Sequence, residues 1–71
     1  MIVREKNVAN GKRVIVEKAC DGFFISMQEH ESICGGFCED ANKDGWRKCL
    51  TSFEYTLEAA EKEMERLASR F

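Results

Sequence analysis

A chain of 71 residues with a net charge of −2 and a pI near 5.4 has room for one domain and no overall positive field to collect nucleic acid or an anionic membrane. It is 44% hydrophobic and 34% charged with no proline, the balance of a folded body and not of a disordered tail. No apolar run approaches the roughly 20 residues that span a bilayer, and Met1-Ile2-Val3-Arg4-Glu5-Lys6 lacks the apolar stretch of a secretion signal, so the expected compartment is cytoplasmic.

In chain order, Asn10-Gly11 and Asp21-Gly22 are the strongest short-range hairpin signals. A two-residue turn at Asp21-Gly22 pairs Cys20 with Phe23, Lys18 with Ile25 and Val16 with Met27. Val14, Val16, Cys20, Phe23, Ile25 and Met27 then share a core face. The opposite, wetter face carries Arg13, Glu17, Ser26, Gln28 and His30, interrupted by Ile15, Ala19 and Phe24. A tight turn at Asn10-Gly11 sets Asn7 and Glu5 opposite Val14 and Val16, a conflict that leaves the N-terminal strand open. His30 to Gly45 is a Gly-, acid- and Cys-rich connection, and Trp46 to Leu50 reads as a further strand, with Trp46 and Leu50 on one face and Cys49 on the other.

Phe53, Leu57, Ala60, Met64, Leu67 and Phe71 recur at spacings of four and three, one continuous helical stripe, and Thr51 with Glu54 makes a capping box at its start. The expectation is a single α+β domain over residues 1–71. A small antiparallel sheet (3–29 and 46–50) packs against one C-terminal helix (52–71), with the Cys-rich loop spanning 30–45. A homodimeric coiled coil is the rival reading of the stripe, and a monomer is favoured over it.

So small a core calls for a staple. In a reducing compartment the cysteines point to metal ligation more than to disulfides. Tetrahedral structural zinc takes thiolate and imidazole ligands. Cys34, Cys38, Cys49 and His30 are the expected set, with Cys20 as the alternative fourth ligand. Strand parity favours His30, since it and Cys49 fall on the wetter face at the end of the sheet where the loop leaves and returns. The competing reading is ordinary buried thiols and a surface histidine. Asp40-Ala41-Asn42-Lys43-Asp44-Gly45 matches the start of a calcium loop, but Arg47 and Thr51 break the pattern, which makes it a polar turn.

No phosphate-cradling loop, serine elbow or carboxylate pair is present, and a domain of this size leaves little volume for a substrate pocket beside His30 and a cysteine, so a non-enzymatic function is expected. Glu54, Glu58, Glu61 and Glu65 follow the apolar stripe displaced by one residue. They form an acidic line that suits a basic partner, or simply a solvated face.

With its small size, acidity, hairpin, long helix and lack of a catalytic motif, the chain from Lys12 to Phe71 resembles the phage-encoded proteins that disable host defences, in particular anti-CRISPR inhibitors of Cas nucleases. The resemblance implies a protein that acts in the host cytoplasm and covers a basic nucleic-acid-binding surface of a large nuclease. The competing class is a zinc-stabilised nucleic-acid-binding module built on Arg4, Lys6, Lys12, Arg13, Arg47 and Lys48, with Trp46 for stacking. Overall acidity argues against direct nucleic-acid binding.

Overall fold

The computed structural model describes residues 1–32 and 43–70. Strands β1 (Ile2–Ala9), β2 (Lys12–Lys18), β3 (Phe23–His30) and β4 (Trp46–Glu54) form one antiparallel sheet in the order β1-β2-β3-β4, followed by α1 (Leu57–Ala68). This is the α+β fold expected from the sequence, with the N-terminal strand formed. Val14 and Val16 of β2 and Ile25 and Met27 of β3 are buried against Ala60, Met64, Leu67 and Ala68 of the helix. The alternation of the strands and the four/three spacing of the helix thus meet in one apolar layer.

The register differs from expectation in instructive ways. Lys18 pairs with Phe23, Val16 with Ile25 and Val14 with Met27, so the β2–β3 loop spans Ala19 to Gly22 and is not a two-residue turn. Ala19 N–H donates to the Gly22 carbonyl at 2.8 Å. The pairing is displaced by two residues from the tight-turn register, and because the side-chain period of a strand is also two, every predicted core residue of the two strands except Cys20 keeps its face. Cys20 lies in the loop, exposed.

The conflict at β1 is resolved by bulges. Ala9 pairs with Lys12, but a register shift between Asn7 and Ala9 then sets Asn7 opposite Arg13, Lys6 opposite Val14, Glu5 opposite Ile15 and Arg4 opposite Val16. One extra residue on one strand exchanges the faces of everything beyond it. Glu5 and Asn7 leave the core side, Arg4 and Lys6 take their places, and Val3 and Val8, at the two irregularities, pack on the edge of the core.

The third predicted strand runs on to Glu54, and the helix begins only at Leu57. Thr56 is the N-cap, its Oγ1 accepting from Ala59 N–H at 3.1 Å, so the Thr51/Glu54 capping box does not form. Phe53 satisfies the helical spacing yet pairs with Phe24 in the sheet, and Phe71 lies outside the described residues. A register shift between Met27 and Gln28 makes Cys49 the extra residue of β4, between Leu50, opposite Met27, and Lys48, opposite Gln28. Trp46, opposite His30, and Leu50, opposite Met27, therefore fall on different faces. No helix among the described residues is long and apolar enough to cross a membrane.

Candidate functional site

The expected glutamate line is built by α1 but is tied into the fold. Glu61 lies 4.0 Å from Arg4, Glu65 pairs with Lys6, and Glu58 stands 3.8 Å from Lys62 one turn on. The bulge in β1 makes this possible, because it turns Arg4 and Lys6 toward the helix. Glu54 belongs to β4 and drops out of the line. Between the remaining glutamates runs an open groove of about 390 Å³ lined by Leu57, Glu58, Glu61, Lys62, Met64 and Glu65, an apolar floor with a mostly acidic rim.

On the other flank of the helix, Glu63 accepts two hydrogen bonds from Arg66 (2.5 and 2.7 Å) and one from Ser52 Oγ of β4 (2.8 Å). Its side chain is 14% exposed. The Arg66 hydrogen bonds outweigh burial and, with Ser52, hold the Glu63 carboxyl at about 2 against an ordinary 4.5. This half-buried carboxylate joins α1 to β4 and is spoken for structurally.

The sheet face away from the helix is drier than predicted. Ile15, Ser26 and Gln28 are buried there, and Arg13, rather than being solvated, is held at three points. Arg13 Nε donates to Gln28 Oε1 at 2.7 Å, Nη1 reaches Glu5 at 3.1 Å, and the guanidinium lies 4.1 Å from the centroid of Trp46. Trp46 meets His30 edge-on at 5.3 Å, so one ring face that nucleobase stacking would need is already taken by Arg13. At the other end of this face, Phe53 contacts Phe24 and Tyr55 edge-on at 5.0 and 5.2 Å. Phe24 is 44% and Tyr55 77% exposed. Sequence reasoning missed this aromatic triad because it assigned Phe53 to the helix.

Of the expected metal ligands, Cys34 and Cys38 lie outside the described residues. His30 and Cys49 are not brought to one face. The His30 ring sits against Trp46, with Nδ1 accepting from Ser32 N–H at 3.2 Å. Cys49, moved by the bulge, packs on the helix-side core with Sγ 3.7 Å from Glu29 Oε1. The parity argument joining them fails at that bulge. Cys20 is in the loop before β3, at the opposite end of the strand from His30. Among the described residues no three potential ligands gather into a metal site. No protein-family model, curated protein or solved structure matches the chain.

Proposed function

We propose that this protein works by binding, not catalysis: it engages a basic surface of a protein partner and blocks it, as the phage-encoded nuclease inhibitors it resembles do. The groove on α1 carries the reading. Leu57 and Met64 offer an apolar floor and Glu58, Glu61 and Glu65 an acidic rim, a combination suited to a lysine- or arginine-bearing segment with an aliphatic anchor. The internal partners of the rim are exposed, and such surface pairs contribute about 0–1 kcal/mol each, so a partner's arginine can exchange with Arg4 or Lys6 at little expense.

Inhibition of DNA cleavage by a panel of purified Cas effector nucleases tests this directly. The wild-type chain is expected to inhibit at least one of them at low salt, less as salt rises, and a Glu58→Lys/Glu61→Lys variant with an unchanged melting temperature to lose that inhibition. Full inhibition by the variant would remove the groove from consideration. Inhibition of none, together with unshifted α1 amide resonances on titration with an arginine-rich peptide, would overturn the reading.

A further inference from the structure

The two outer strands of an open sheet each present a row of unpaired backbone groups, and proteins usually blunt such edges with bulges and charge. Here β1 is blunted at both Val3 and Val8. Beyond Cys49, β4 is not: Leu50 to Glu54 run in unbroken register with β3, their outer side has no partner strand among the described residues, and only Glu54 of the five is charged. The large apolar side chains that remain exposed divide the same way. Met1 precedes and Ile2 begins β1, whereas Leu50 lies in β4, Tyr55 follows it and Phe24 pairs with its Phe53.

We propose that the outer edge of β4 pairs antiparallel with β4 of a second copy of this chain, about a two-fold axis at Thr51, forming a continuous sheet of both copies. The occupant follows from charge. Arg47 makes no ion pair among the described residues and its Nε is buried without a hydrogen-bond partner, and Glu54, at the other end of the segment, is likewise in no ion pair. A two-fold axis at Thr51 sets Leu50 opposite Ser52 of the second copy. Once the bulge at Cys49 is passed, it sets Lys48 opposite Phe53 and Arg47 opposite Glu54.

Arg47 pairs with Glu29, and Glu54 with Phe23, in the strand β3, so both lie on the helix side and face each other across the seam. The two-fold supplies this match twice. Leu50 loses solvent on the helix side as well, and on the opposite face the aromatic triads of the two copies flank the axis. The groove on α1 is not part of the seam, so this assembly stands independently of the proposed inhibition.

Sedimentation equilibrium of the whole chain up to millimolar concentration tests the proposal. The wild type is expected to approach twice the 8.2 kDa chain mass. Thr51→Lys, which places two lysines on the axis at an exposed position, should weaken association about tenfold or more. Glu54→Arg should do the same, and the exchange Arg47→Glu/Glu54→Arg should restore it, a rescue that a merely misfolded variant would not show. A wild-type monomer throughout this range would overturn the proposal. So would a dimer indifferent to Thr51→Lys and to the charge exchange, which would place the contact elsewhere, on α1 for instance.

Discussion

The two edges of this sheet are attached to the same helix by different means. β1 is held from outside, by Arg4 and Lys6 reaching exposed glutamates on α1, and its bulges put those cations on the helix side in place of Glu5 and Asn7. β4 is held from inside: Ser52 donates to the largely buried Glu63, while Gly22 lets Phe53 and the Glu54 carbonyl close against the β2–β3 loop. An edge made of exchangeable surface pairs can give those pairs to another molecule. An edge anchored beneath leaves its outer side regular and open to a strand.

The contrast breaks first at Gly22. A methyl group there would lie 2.3 Å from Phe53 Cζ and 2.6 Å from the Glu54 carbonyl oxygen, and the backbone atom cannot swing aside. Gly22→Ala is expected to destabilise the fold by about 1–3 kcal/mol, and hydrogen exchange should show β4 losing protection more than β1. Next comes Glu63. Its folded pKa, about 2, lies below the ordinary 4.5, so its contribution is present above 4.5 and fades as pH falls toward 2.

Glu63→Gln should cost about 1 kcal/mol at neutral pH, held to that by solvent screening at the exposed Arg66, and should flatten the acid limb of a thermal-melting profile between those pH values. Smallest is the β1 side. Arg4→Ala and Lys6→Ala should each change stability by no more than about 0.5 kcal/mol at moderate salt. A loss at Lys6 larger than that at Glu63 would reverse the comparison.

Much of the fold was legible because its signals are periodic. Val14, Val16, Ile25 and Met27 alternate, Leu57, Ala60, Met64 and Leu67 recur helically, and a two-residue displacement of the hairpin left these faces unchanged. Bulges are the exception, since one extra residue leaves no periodic trace. Their sign at β1 was indirect: Glu5 and Asn7 could not face Val14 and Val16, and a bulge was the remedy. At Cys49 no such conflict existed, and the ligand argument that relied on parity failed there.

Phe53 misled for a related reason, since it fits both the helical stripe and the alternation of Thr51, Phe53 and Tyr55. Thr56, the side chain that starts the helix, decided the matter locally. Of the candidate surface, the glutamates were visible in the sequence but their partners were not, because Arg4 and Lys6 reach α1 only through a register that no short-range rule encodes.

The lone tryptophan also gives the molecule a built-in optical reporter. Trp46 sits where β2, β3 and β4 end together, with the Arg13 guanidinium over its ring and His30 at its edge, far along the strand from the Phe24–Phe53–Tyr55 cluster. Its emission therefore responds to loosening at that end of the sheet, while far-ultraviolet circular dichroism follows α1. Coincident transitions from the two signals would establish that so small a sheet and its helix melt as one unit, and a lag between them would show which end lets go first.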